Sequence, residues 1–237
     1  TNTYSNDLQT KLQANKGFLV TIGDGINSIG DYNIKHTDVF HDLGGVINNI
    51  TKDNILKKSG GTIYIKHGNY NMRSIAFIHE NTHVTGDGPD ATKITMIRTT
   101  DDASFFQIEG TAVNTLNEET TNRHTIPNVK FSNLYMIGAA EDIGQVSGSI
   151  ANTGGRDSVI VANKDSLVNF TLDNVRIKGG SYKASGDDIG ATNSSAVVLG
   201  DSSGSSNDTA LKNINILNSK FELTGRGIVF HSNARHV

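Results

Sequence analysis

The sequence predicts an all-β solenoid of short stacked strands, with one amphipathic helix covering its first coil. A unit of Asn, four residues and Gly recurs at 81–86, 133–138 and 174–179, and again with two added residues at 218–225. Only one stretch has helical periodicity, and from residue 61 onward apolar residues alternate with polar ones, as in strands. A recurring strand-turn unit with a single helix is typical of a solenoid rather than of a layered domain.

The first 35 residues form an entry segment in which the Gly-rich run 22–30 predicts turns. A capping helix is expected within 36–60, where Thr37 or Asp38 can begin it and Gly60 can end it. Its apolar residues recur every three or four positions and predict one buried stripe: Val39, Leu43, Val46, Ile47 and Ile50. This helix is expected to cover the open edge of the stack, which would otherwise invite aggregation.

Residues 61–237 are expected to form the coils, with the last one incomplete. A second, short and mainly apolar kind of strand follows each Asn-bearing strand, at 105–108, 158–162, 196–199 and 227–230. This order predicts four coils, the first beginning near Ile75. Asn tolerates the left-handed backbone of a tight bend, and its side chain can bond the Asn of the neighbouring coil. A β-sandwich is the alternative, but Asn-Gly hairpin turns are absent from the sequence.

Composition excludes several functional classes. The net charge of −3 provides no basic field for nucleic acid, and the absence of Cys excludes thiolate metal sites and disulfides. No apolar run is long enough to span a bilayer, so membrane insertion is not expected. The chain begins without Met or a signal-peptide pattern, which suggests an internal or processed piece of a longer protein.

Several motifs in the first 90 residues occur in a fixed order around the predicted helix. They read Gly23-Asp24-Gly25, then Gly60-Gly61-Thr62-Ile63-Tyr64-Ile65, then Gly68-Asn69-Tyr70 and Gly86-Asp87-Gly88. In this combination the chain resembles the entry of the pectate-lyase-like right-handed parallel β-helix superfamily. It departs from the family pattern by the insert 26–35 and by an Asn- and Lys-rich helix. Those departures resemble a divergent member such as a bacteriophage tailspike.

The resemblance implies a right-handed parallel β-helix that binds, and depolymerises, a bacterial surface polysaccharide as a glycoside hydrolase or lyase. It also implies a homotrimer in the full-length protein and a place in the phage tail or outside the cell. No cofactor is implied for a hydrolase, whereas a lyase can use Ca²⁺. Two alternatives stay open: a secreted polysaccharide lyase or epimerase, and a non-catalytic virion or adhesin shaft. Fold alone does not choose among them.

Two long connections, 139–157 and 180–194, follow equivalent Gly residues and are expected to lie side by side on one face. Glycoside hydrolysis needs two carboxylates, and the candidates are Glu141, Asp142, Asp187 and Asp188. Lyase chemistry needs a cation to neutralise a uronate and a base to remove its proton. Candidate substrate-binding residues are Arg156, Asp157, Tyr182, Lys183, Arg226 and His231. The structural alternative is that paired Asp residues in a Gly- and Ser-rich loop serve only its turns.

Overall fold

The structure, a computed structural model, describes residues 18–34, 42–52, 60–96, 104–109, 125–138, 158–162, 166–178, 195–200, 210–222 and 226–230. These residues form one helix, α1 (Leu43–Lys52), and sixteen strands. The strands are β1 (Phe18–Gly23), β2 (Tyr32–Asn33), β3 (Gly61–Ile65), β4 (Gly68–Met72), β5 (Ala76–Ile78), β6 (Thr82–Gly86), β7 (Thr92–Met96), β8 (Ser104–Ile108), β9 (Thr125–Pro127), β10 (Lys130–Ile137), β11 (Ser158–Ala162), β12 (Ser166–Lys178), β13 (Ser195–Leu199), β14 (Leu211–Leu217), β15 (Lys220–Glu222) and β16 (Arg226–Phe230). The predicted all-β class is therefore confirmed.

The strands form two sheets, one of eleven strands (sheet A) and one of five (sheet B), and every pairing between described strands is parallel. The strands follow one another in five successive tiers, and in each tier the chain adds strands first to sheet A and then to sheet B. The tiers are β3–β5, β6–β8, β9–β11, β12–β13 and β14–β16. Parallel pairing excludes the β-sandwich, whose neighbouring strands are antiparallel. The predicted four coils become five tiers, because β3–β5 form a tier ahead of the first expected coil.

Left-handed Asn residues lie at two bends of sheet A and form two ladders along the stack. The first ladder is Asn81, Asn128, Asn169 and Asn213, with φ between 53° and 60° and amide-to-carbonyl distances of 2.8, 2.9 and 3.0 Å between successive side chains. In the second, the Asn174 amide donates to Asn133 Oδ1 at 2.8 Å, while Asn218 donates to Asp173 Oδ1 at 3.2 Å. The predicted bonding between Asn residues of neighbouring coils is thus confirmed.

The four Asn residues of the recurring unit do not all occupy the same bend, contrary to what the sequence pattern suggests. Asn81 belongs to the first ladder, whereas the other three Asn residues of the recurring unit belong to the second. The register pairs Thr85 with Ser132, which places Gly86 rather than Asn81 opposite Asn133. A Cβ on Gly86 would lie 2.5 Å from the Asn133 carbonyl oxygen, so only Gly fits there. Left-handed Asn residues occur at both bends, and the sequence pattern alone cannot tell the two bends apart.

The core lies between the two sheets and consists of inward residues stacked tier upon tier. Phe106, Phe131 and Phe170 are fully buried, and their rings pack edge-on or tilted at centroid distances of 5.2 and 6.3 Å. Above and below Phe131 in sheet A lie Val84 and Leu172, which are equally buried. Apolar residues thus repeat at each inward position, as stacked parallel strands require.

Helix α1 covers the free edge of β5, the first strand of sheet B. The Asn48 side chain donates to the Ile75 carbonyl at 2.6 Å and accepts from the Phe77 amide at 2.9 Å, as a neighbouring strand would. Gly44 lets the helix approach closely, since a Cβ there would lie 2.0 Å from the Ser74 carbonyl oxygen. The predicted apolar stripe is buried at Leu43, Val46, Ile47 and Ile50; Val39 lies outside the described residues.

The Gly23-Asp24-Gly25 motif forms a closed turn beside the first tier. Asp24 is only 3% exposed, and its Oδ1 accepts backbone N–H bonds from Ile26, Asn27 and Ser28 at 2.7 to 2.9 Å. The Asn27 amide donates to the other carboxylate oxygen at 2.7 Å. Burial by itself raises the pKa of Asp24, but these hydrogen bonds outweigh it and lower the pKa to about 2. The motif is therefore structural.

Acid should release the stability that Asp24 contributes. Its folded pKa of about 2 lies below the ordinary value of 3.8, so the contribution is complete above 3.8 and is lost as the pH falls toward 2. We expect Asp24→Asn to destabilise the protein at neutral pH by about 1–3 kcal/mol and to show a smaller loss across this acid window. Urea unfolding midpoints at a series of pH values measure both effects. Asp90→Asn, at an exposed turn, is the matched control, and an equal acid response in both variants would contradict the assignment.

Candidate functional site

Most of the predicted site residues lie outside the described residues. This applies to Glu141, Asp142, Arg156, Asp157, Tyr182, Lys183, Asp187, Asp188 and His231. Arg226 is the exception: it begins β16, and its backbone pairs in parallel with Ser195 of β13. It therefore lies at the start of a strand of sheet B.

The strands that flank the two inserts are nevertheless described. The insert 139–157 leaves β10 and enters β11, while the insert 180–194 leaves β12 and enters β13. Ile137 pairs with Lys178 where the inserts leave, and Ser158 pairs with Ser195 where they return. Both inserts thus begin and end on neighbouring strands.

A row of side chains crosses sheet A close to where the inserts leave, on five neighbouring strands. Register places them opposite one another in this order: Asn69, Lys93, Tyr135, Arg176 and Lys220. We call this set the outer row. Their alternating neighbours Ile94, Met136 and Ile177 are fully buried, so the outer row occupies the other face of the sheet. A second row beside it includes Lys178 and Glu222.

Arg176 is the most highly connected residue of the outer row. Its guanidinium carbon lies 4.5 Å from the centroid of the Tyr135 ring, and its Nε donates to Glu222 Oε2 at 2.5 Å. Lys220 Nζ contacts the other Glu222 oxygen at 2.6 Å. The hydrogen bond from Arg176, with a further one from Lys220, lowers the pKa of Glu222 to about 2. Glu222 therefore stays ionised, which makes Glu222 a poor proton donor. Its carboxylate also holds the Arg176 side chain in place.

A second polar group lies on the outer face of sheet A, on β6 and β10. His83 Nε2 lies 2.7 Å from Ser132 Oγ, which lies 2.8 Å from Thr85 Oγ1. Burial lowers the pKa of His83, and nearby Lys130 lowers it further, so the imidazole is neutral at neutral pH. A neutral His beside a Ser is the first part of a nucleophile-base pair. Among the described residues, however, no carboxylate contacts His83, and Asp173, which pairs with Ser132 across the strands, lies 3.5 Å from Lys130 Nζ.

A third polar group joins the entry segment to the second tier. The Tyr64 hydroxyl donates to Asp87 Oδ1, and the His67 amide donates to Asp87 Oδ2 at 2.6 Å. The His67 ring nitrogen Nε2 lies 2.8 Å from the Asn27 carbonyl. These contacts join the turns at Gly25, Gly68 and Gly86 to one another, and we assign them a structural role.

The outer row was not predicted from the sequence. Its residues occupy alternate strand positions, which any solvent-facing strand fills with polar side chains. The alternation of Lys93 and Thr95 in β7, or of Arg176 and Lys178 in β12, was a usable signal for the face. Only the register across strands brings Lys93, Tyr135 and Arg176 into one line.

Comparisons with known proteins provide no family for this chain. No family model matches it, and no curated protein matches it. A solved structure titled "Geobacillus virus E2 - ORF18" is similar with a TM-score of 0.47 and 14% sequence identity, over 94% of this chain. The chain spans 42% of the length of that structure.

In the described part of the chain, no helix has the length and apolar character that crossing a membrane requires. No group of three or more His, Asp or Glu side chains converges there as metal ligands would.

Proposed function

We propose that this protein is a right-handed parallel β-helix of the phage tailspike type, which binds a bacterial surface polysaccharide along one flank and depolymerises it. The observation that carries the proposal is the position of the two long inserts. They leave from neighbouring strands, at Ile137 and Lys178, beside the outer row. Insertions that follow equivalent strands of successive tiers tend to share one face, and such a face beside a polar sheet suits an extended chain-like ligand.

The regular order of the tiers supports the β-helix. Five tiers follow one another in parallel register, and each visits sheet A before sheet B. The Asn ladders support the same architecture, because identical bends must stack directly for their side chains to bond. The resemblance of the entry motifs to the pectate-lyase-like superfamily then points to a glycan ligand.

The carboxylates of the two inserts are the proposed catalytic groups. Glu141 and Asp142 come from one insert, whereas Asp187 and Asp188 come from the next. Neighbouring strands lie about 4.8 Å apart, and retaining or inverting glycosidases place their two carboxylates about 5 Å or about 6.5–9.5 Å apart. These separations are why one carboxylate from each insert is proposed as the catalytic pair. Arg156, Asp157, Tyr182 and Lys183 are proposed to bind the sugar beside them, with Arg226 and His231 at the last tier.

A non-catalytic shaft is the second candidate, and one observation favours it. The acidic side chains on the described outer face of sheet A, Asp173 and Glu222, are engaged by Lys130 and Arg176, as on a purely structural surface. In such a protein the stack would be a rigid spacer, and the inserts would contact other subunits.

The test incubates the protein with a panel of capsular and lipopolysaccharide glycans from candidate hosts. Binding, newly formed reducing ends and the ultraviolet absorbance of unsaturated uronates are measured in parallel, and light scattering determines whether the protein is a trimer. A hydrolase releases reducing ends alone, whereas a lyase produces both signals. Binding without cleavage supports the shaft, and no binding to the host's own glycan refutes the proposed function.

Variants then assign the chemistry to the inserts. Asp187→Asn and Glu141→Gln are expected to abolish cleavage while binding persists, since each change removes a charge without changing shape. Asp201→Asn, which belongs to neither insert, is the matched control. Unchanged cleavage in both insert variants, and in the equivalent variants of Asp188 and Asp142, would contradict the assignment.

A further inference from the structure

The outer row and its neighbour form a cationic region on a protein whose overall charge is negative. Lys93, Arg176 and Lys220 lie in the row and Lys178 lies beside it. Among the described residues, the acidic groups close to them are Glu222 and Asp90, the latter near enough to act on the charge of Arg176. The described part of this region thus holds four cations and two carboxylates, against a net charge of −3 for the chain. Such a local excess attracts anionic ligands and selects against cationic ones.

Arg176 is preorganised for an anion. Glu222 engages only its Nε, and the Tyr135 ring supports the guanidinium. Among the described residues, the terminal guanidinium nitrogens of Arg176 have no hydrogen-bond partner. A held guanidinium with unused paired donors suits bidentate recognition of a carboxylate or sulfate.

Tyr135 supports the cation rather than offering a stacking surface for sugar. Its side chain is only 8% exposed, because Arg176 lies over the ring. A neutral glycan would therefore find little aromatic surface in this row. The ligand chemistry favoured by the row is charge, repeated along the direction in which the strands stack.

The remaining cations continue the row in both directions from Arg176. Lys220 lies on the neighbouring strand, about 4.8 Å away, and Lys93 lies two strands away on the other side. Lys93 has no ion-pair partner within the described ranges, whereas Lys220 shares Glu222 with Arg176. A ligand with acidic groups at regular intervals can meet these cations in succession.

We propose that the outer row binds the acidic groups of an anionic polysaccharide, with Arg176 as the principal contact and Lys93 as the second. The inference rests on the proposed function for the ligand being a glycan, and it adds that the glycan carries carboxylate or sulfate groups. Nucleic acid is the less favoured polyanion, because the rest of the protein is acidic and would repel a long phosphate backbone.

The experiment compares three probes on the whole protein: dextran sulfate, carboxymethyl dextran and neutral dextran. Titration calorimetry measures each affinity at low and high salt. We expect both charged dextrans to bind and neutral dextran not to bind, with affinity falling as salt rises. Relative affinity for the two charged forms distinguishes sulfate from carboxylate recognition.

Two variants locate the site on the row. Arg176→Gln is expected to weaken binding by about tenfold or more, since it removes a charge-assisted hydrogen bond. Lys93→Gln is expected to weaken binding by up to about fivefold, as one exposed charge contributes less. Lys212→Gln, an exposed site before the first Asn bend of β14, is the matched control for loss of one charge. Urea unfolding identifies any variant that has lost its fold; Lys93→Gln is expected to keep it.

The outcomes separate this inference from the proposed function. Equal weakening by Lys93→Gln and Lys212→Gln, or binding of neutral dextran as tight as that of the charged forms, overturns the outer-row site. Duplex DNA bound more tightly than either charged dextran overturns the glycan assignment. If the host glycan binds with the same affinity to the unmodified protein, Arg176→Gln and Lys93→Gln, the proposed function stands and the row inference fails. If the row variants reduce polyanion binding while no bacterial glycan binds, the row is an anion site and the proposed function fails.

Discussion

Phe131→Ala is expected to destabilise the folded protein by about 3–5 kcal/mol, the range for truncating a buried aromatic residue. Phe131 has no exposed surface, and it contacts Phe106 of sheet B at a centroid distance of 5.2 Å and Phe170 at 6.3 Å. The ring therefore joins both sheets and three successive tiers, and its removal leaves a cavity that rigid strands cannot close. Equilibrium urea unfolding of the variant and the unmodified protein measures the difference.

Phe230→Ala is the matched control, because the same side chain is 37% exposed on the last strand of sheet B. Its loss is expected to cost about 1 kcal/mol, since less apolar surface returns to water. The difference between the two variants reports how tightly the middle tiers are packed. Equal costs would contradict a continuous core between the sheets.

The tiered architecture could be predicted because its requirements are local. A bend with left-handed backbone needs Asn or Gly, an inward strand position needs an apolar residue, and both recur visibly in the sequence. Asn133, Asn174 and Asn218 were found in this way, and so was the apolar stripe of α1. The Asp24 turn also follows from local chemistry, because its partners are within four residues.

Register could not be predicted, and the errors follow from that. Asn81 and Asn133 are followed by Gly at the same interval, yet they occupy different bends because Asn81 stacks on Asn128. The sequence around Asn128 contains no such Gly, so the first ladder was missed. The outer row was missed for the same reason: Lys93 and Arg176 are 83 positions apart and become neighbours of Tyr135 only through strand pairing.

The first Asn ladder should contribute measurably to stability, through both its bonds and its backbone. Asn169 has a φ of 60°, donates to Asn128 Oδ1 at 2.9 Å and accepts from the Asn213 amide at 3.0 Å. Asn169→Ala removes two exposed hydrogen bonds and also the side-chain amide that lets Asn tolerate the left-handed backbone, a conformation that otherwise costs about 1–2 kcal/mol. We expect a total loss of about 2–3 kcal/mol, measured by urea unfolding.

Asn169→Gly separates the two contributions, because Gly accepts this backbone conformation without strain. It is expected to cost about 1 kcal/mol, clearly less than Ala, and Asn215→Ala at an exposed site of ordinary φ should cost about 0.5 kcal/mol or less. If Gly and Ala cost the same, the left-handed backbone is not a constraint. The double variant Asn128→Gly with Asn169→Gly then tests the ladder: bonded neighbours should lose less together than the two single losses added. Strict additivity would mean that each Asn serves only its own bend, and that stacking of Asn upon Asn contributes nothing to the tiered fold.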